Sequence, residues 1–248
     1  MFKEEYNNLE KEFDKQTKED RAKYGLENIY LPNNPPNEPV DYILVAMEPS
    51  LDKWTDGNIE TADDKIKKGF KNFAYTPEDF ILHFCISQYL CRENENYHIT
   101  DIAKGAMLTE LAKTNRKKRY ERWRDLLYKE IRLVSKAETK IIAIGTKVEE
   151  FLQINKMQNY AGSILHHSGQ AARYRNEAIA GKEKEFGEFC QTIALEQVIK
   201  TADTLLDKYD MGFFKSETIE RLNKSDFSES RKKLIFIYKT RFGELKHK

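Results

Sequence analysis

The chain has 248 residues, 40% hydrophobic, 33% charged and 12% aromatic, enough apolar content for a packed core and too much for a disordered chain. No apolar run approaches the roughly 20 residues that cross a bilayer, and the start Met1-Phe2-Lys3-Glu4-Glu5 has no apolar stretch of the kind a secretory leader needs. With 42 basic and 41 acidic side chains the formal charge is +1, which excludes a uniformly basic nucleic-acid coat but not a local basic face.

Residues 2–24 are predicted to be helical, because Phe2, Tyr6, Leu9 and Phe13 recur at helical spacing among charged residues. Residues 31–39 hold four of the six prolines and read as an extended connector. The first strand is Tyr42-Ile43-Leu44-Val45-Ala46, continuously apolar as a strand buried on both faces should be. It ends in Met47-Glu48-Pro49-Ser50, where proline forces a turn. A long connection follows, with one amphipathic helix from Glu78 to Leu90 bounded at Pro77. Tyr97 to Ile102 is a second strand, and Arg116 to Lys136 a basic amphipathic helix. Lys140 to Gly145 is a third strand, opening a helix at Thr146, and Gly162 to His166 a fourth, followed by a polar loop from His167 to Arg173. One helix is predicted from Lys182 to Tyr209. Residues 228–245 fit a strand or a helix equally well.

This alternation predicts a single α/β domain, a three-layer α/β/α sandwich around a central, mostly parallel four-stranded sheet. Residues 1–39 supply the N-terminal helix and connector, 40–175 the motif-bearing core, and 176–248 a mainly helical extension. Ligands of such sheets lie beyond the carboxyl ends of the strands. Those ends carry Glu48, Asp101, Gly145 and His166, three of them polar or ionisable, converging on one rim. Cys85, Cys91 and Cys190 lack disulfide-framework and metal-site spacing, so a cytoplasmic setting and no bound metal are expected.

The order of Ala46-Met47-Glu48-Pro49-Ser50, Ile99-Thr100-Asp101-Ile102-Ala103-Lys104, Ile141-Ile142-Ala143-Ile144-Gly145 and His166-His167-Ser168 resembles the uracil-DNA glycosylase superfamily over residues 40 to 175. Family members carry a first motif such as Gly-Gln-Asp-Pro-Tyr, a middle strand ending in asparagine, an Ile-Ile-x-x-Gly strand and a late His-Pro-Ser loop. This chain departs at Ala46 (glycine in the family), His167 (proline) and Asp101 (asparagine), and it has no counterparts of the cysteines of the iron–sulfur branch.

The resemblance implies a monofunctional DNA glycosylase that hydrolyses the N-glycosidic bond of a flipped-out base and leaves an abasic site, with no cofactor and no metal. It makes Glu48 the group that positions water and stabilises the cationic sugar, and His166, with His167 as the neighbouring alternative, the donor to the leaving base. Asp101, Met47, Ser50, Phe73 and Tyr75 would hold the base. A carboxylate at 101 can only accept hydrogen bonds, and serine at 50 removes the tyrosine wall of one uracil-specific branch. Together they turn the expected base toward cytosine enlarged at its fifth carbon, as in phage DNA with hydroxymethylated or glucosylated cytosine. DNA contacts are expected from the late loop (Ser168, Gly169, Gln170, Arg173), from the run Arg116-Lys117-Lys118-Arg119, and from Lys104 and Lys147 just past strand ends. The expected partner is DNA and the expected state a monomer. Three rival readings stand beside this one: a repair glycosylase for uracil or another deaminated base, a nucleic-acid-binding module on the same fold without catalysis, and an enzyme that cleaves small nucleosides.

Overall fold

A computed structural model of the chain describes residues 2–52, 54–168 and 171–246. Helix α1 (Phe2–Tyr24) buries Tyr6, Leu9 and Phe13 on one face, the stripe that its periodicity predicts. A short strand β1 (Asn28–Tyr30) precedes the proline-rich connector, and β2 (Val40–Ala46) follows it. Helix α2 (Ile59–Lys67), which packs Ile59, Ala62 and Ile66 on the core, was not predicted. Helix α3 (Pro77–Cys85) starts at a Thr76–Asp79 capping box with proline in its first turn, then continues as a π-helical turn, Ile86–Leu90. Next come β3 (Tyr97–Asp101), β4 (Gly105–Met107), α4 (Arg116–Val134), β5 (Ser135–Ile144), α5 (Thr146–Ile154) and β6 (Tyr160–Ile164).

The C-terminal part holds α6 (Ala172–Ile179), α7 (Glu183–Cys190), α8 (Leu195–Lys208), α9 (Gly212–Asn223) and α10 (Glu229–Lys246). The single helix expected from Lys182 to Tyr209 is therefore two. Ile193 is buried between them, Ala194 is extended, and the Gln197 side chain accepts the Ala194 N–H at 2.9 Å to start α8 afresh. Residues 228–245 resolve as helix: Leu234, Tyr238, Phe242 and Leu245 form a buried stripe, and Arg241 Nε and Tyr238 OH bond to the Ser163 and Leu165 carbonyls of the β6 segment.

Strands β2, β3, β5 and β6 form one parallel sheet in the order β3-β2-β5-β6, while β1 and β4 pair antiparallel in a separate two-stranded sheet. The large sheet is buried on both faces. Tyr42, Leu44, Ile142 and Ile144 pack with α3, α8, α9 and α10; Ile43, Val45, Ile141 and Ala143 pack with α1, α4 and α5. Ala46 pairs with Asp101 and Ile144 with Ile164, so the carboxyl ends of all four strands lie along one rim. Among the described residues no helix is long and apolar enough to cross a membrane.

Candidate active site

A cavity of about 350 Å³ opens at this rim, within the range of small-molecule sites. Glu48, Ser50, Phe73, Tyr75, Asp101, His166, His167 and Ser168 all line it, so four separate chain segments meet there. Trp54 and Phe70 also line it and stack on each other at 4.4 Å between centroids.

Glu48 sits just past β2 with its side chain 3% exposed. Arg116 Nη2 donates to its Oε1 at 2.7 Å, and the Tyr120 hydroxyl bonds to its Oε2. Both carboxylate oxygens are thus engaged by the first turns of α4. Arg116 is turned inward onto Glu48 and the Ala112 carbonyl, not outward toward a phosphate.

Asp101 ends β3 and is almost fully enclosed. Asn72 Nδ2 donates to its Oδ2 at 2.7 Å. Burial drives the carboxyl up, the Glu130 and Glu48 charges add to the rise, and Lys104 and the Asn72 hydrogen bond oppose it, leaving it at about 8. At neutral pH Asp101 is therefore mainly a protonated acid, a donor as well as an acceptor.

The two histidines divide their work. His166 Nδ1 accepts the Ser168 N–H at 3.0 Å, which leaves Nε2 to carry the ring hydrogen. Burial, followed by the neighbouring His167, pushes His166 down to about 3 against the pull of Asp79, so the ring is neutral. Gly145, next to His166, adopts φ +88°, a conformation that favours glycine. His167 stacks on His166 at 4.7 Å and places Nε2 3.2 Å from Asp79 Oδ1. Asp79 also caps α3. Burial raises its carboxyl, but the His167 hydrogen bond and charge and the Thr76 N–H outweigh that, and the net shift is downward. Arg175 Nη2 holds the His167 carbonyl at 2.8 Å, so the late loop is anchored from α6.

The aromatic residues are fixed rather than loose. Phe73 has φ +57°, and His83 donates from Nε2 to its carbonyl at 3.0 Å while accepting from the Tyr97 hydroxyl at Nδ1. Tyr75 lies beneath the Arg221 guanidinium, 3.8 Å from the ring centroid.

Several predicted contact residues lie elsewhere. Lys104 is 1% exposed and pairs with Glu130 at 2.7 Å, so it does not reach phosphate from solvent. Arg119 is equally buried, its guanidinium bonded to the Thr114 and Ala112 carbonyls. Of Arg116-Lys117-Lys118-Arg119 only Lys117 and Lys118 are exposed, because helical spacing turns the two arginines inward. Met47 packs with the α1/α4 side of the sheet and does not line the cavity. Lys147 is exposed on α5 beside Glu150, and Arg173 is exposed against the Tyr174 ring. Gly169 and Gln170 lie outside the described residues.

Sequence reading missed Asn72, Asp79 and Tyr120. Asp79 had a signal, since Thr76-Pro77-Glu78-Asp79 is a helix start with an acid at the third position. Asn72 and Tyr120 had none. No protein-family model, no curated protein and no solved structure matches the chain. Among the described residues no cluster of three or more His, Cys, Asp or Glu could hold a metal ion.

Proposed function

We propose that the chain is a DNA glycosylase of the uracil-DNA glycosylase type, acting on a damaged or modified pyrimidine turned out of the helix into this cavity. One observation carries the reading: Glu48, Asp101 and a neutral, Nε2-protonated His166 line a single cavity at the carboxyl rim of a parallel sheet. Cleavage of a base–sugar bond needs negative charge near an oxocarbenium-like sugar and a donor to the departing base. Glu48, held in place by Arg116 and Tyr120, supplies the first and a lone pair for water. His166 Nε2–H supplies the second without having to lose a charge. Ser50, Asp52 and Thr109 form a polar wall that suits a hydroxylated substituent, the chemistry of hydroxymethylated or glucosylated cytosine in phage DNA.

A second reading, a nucleic-acid-binding module without catalysis, is favoured by the same Glu48 geometry, because both carboxylate oxygens already have partners. Base release from DNAs bearing uracil, mismatched thymine, hypoxanthine, hydroxymethylcytosine or glucosylated cytosine, read by mass spectrometry, separates the two. Release of one base, lost in Glu48→Gln and His166→Ala, is the expected outcome. DNA binding with no base released from any substrate replaces the glycosylase with the binding module.

A further inference from the structure

Among the described residues the Asp101 carboxyl has one side-chain partner, the neutral amide of Asn72; no cation and no main-chain N–H reaches it. That amide cannot turn round. Its Oδ1 takes the Phe73 N–H at 2.9 Å, and a main-chain N–H can only donate. Its Nδ2 therefore faces Asp101 Oδ2 and, at 3.1 Å, Asn33 Oδ1. The same polarity continues inward. Asn33 Nδ2 donates to Thr100 Oγ1 at 3.2 Å, and Thr100 donates to the Glu130 carboxylate at 2.8 Å. The chain is oriented from both ends, by a group that only donates and a group that only accepts.

Resting on the reading that the cavity takes a flipped base, we propose that Asn72 and Asp101 form its edge reader, with Oδ2 held as the acceptor and Oδ1 carrying a hydrogen that is donated to the base. The surroundings keep that hydrogen in place. Lys104, from the turn after β3, directs its ammonium to Glu130, Thr100 and the Asp101 carbonyl rather than to the Asp101 carboxyl. Glu48, past β2, is paired with Arg116 of α4; Glu130 of α4 is a second carboxylate; Asp79 of α3 is matched to His167. Neutral His166, Lys71, Asp52 and Glu78 line the same cavity. Burial, with Glu130 and Glu48 reinforcing it, then holds the acid protonated to about pH 8.

The substrate class follows from donor order. A protonated acid matches an edge with one acceptor and one donor, as pyrimidines present at N3 and the 4-substituent. Uracil and cytosine carry that pair in opposite order, so the fixed Asn72 amide selects between them. An edge with two adjacent donors suits a carboxylate instead. Asparagine in place of Asp101 would present the same order, its Nδ2 standing where Oδ1–H stands.

Two measurements on the full chain test this. In carboxyl carbon NMR, the signal missing from Asp101→Asn is expected to titrate near pH 8 in the wild type. Asn72→Leu, which should move the same signal, assigns it if Asp101→Asn does not fold. In base-release assays the wild-type rate is expected to fall on the alkaline side with a midpoint near 8, while Asp101→Asn, whatever its level, stays flat from about pH 7 to 9 and prefers the same base. A carboxyl titrating below about pH 5, or a switch of preferred base in Asp101→Asn, overturns the proposal. A carboxyl titrating near 8 with no base released from any DNA supports the protonated reader and removes the glycosylase reading alone.

Discussion

Two buried carboxyl groups on either side of one lysine are driven in opposite directions, and the contrast separates the packed interior from the rim cavity. Glu130 lies in the packed interior beside α1 and β3. Tyr6, His98, Thr100 and Lys104 all contact it, at 2.9, 3.0, 2.8 and 2.7 Å. Burial alone would raise its carboxyl, but the Lys104 charge and the His98 hydrogen bond outweigh burial and hold it at about 2. Asp101 lies on the cavity side with a single neutral partner and is left at about 8. Equal burial thus produces a satisfied anion in one place and a proton-bearing acid in the other. The difference lies in how many donors each oxygen finds.

The largest expected effect comes from breaking the satisfied side. Glu130→Gln leaves the Lys104 ammonium buried without its counter-charge and should cost about 3–5 kcal/mol in urea unfolding. A loss under about 1 kcal/mol would show that the cluster does not hold the fold. On the cavity side, function rather than stability should fall. His166→Ala removes the donor proposed for the leaving base and is expected to slow base release about 10²–10³-fold. His167→Ala, which frees buried Asp79, should mainly lower the melting temperature. The reverse pattern would exchange the two roles.

An effect of comparable size sharpens the comparison through pH. Folded Asp101 keeps its proton to about pH 8, whereas in the unfolded chain an aspartate releases it near 4. Between those values the folded state binds more protons, so this group's contribution to stability is lost as pH rises. Asp101→Asn does not titrate. Its stability relative to wild type should therefore improve from pH 5 to pH 8.5 by about 4 kcal/mol, and a constant difference in thermal melts would refute the assignment. The smallest change is expected outside both regions. Lys117→Glu with Lys118→Glu should flatten the salt dependence of DNA affinity by roughly one unit per lost phosphate contact and leave the melting temperature unchanged.

The helical stripes of α1 and α4 and the apolar runs of β2, β3 and β5 were legible in the sequence because they are local consequences of which face is buried, although β5 starts at Ser135, five residues before the expected Lys140. The strand-end placement of Glu48, Asp101 and His166 was legible for the same reason. Helix α2 was missed although Ile59, Ala62 and Ile66 recur at helical spacing toward the core, and the break between α7 and α8 depends on Ile193 turning into a core that no local pattern describes.

What the sequence determined by itself is therefore the α/β alternation and the set of polar residues that reach one rim. What only the tertiary structure decided is the chemical state of those residues. Asn72 and Asp101 are 29 residues apart, Glu48 and Arg116 are 68, and Tyr6 and Glu130 are 124. Protonation of Asp101, the inward turn of Lys104, Arg116 and Arg119, and the choice of His166 over His167 as free donor all depend on such distant partners. The physical reason is that periodicity is set by neighbours along the chain, whereas desolvation and hydrogen-bond direction are set by whatever the fold brings alongside.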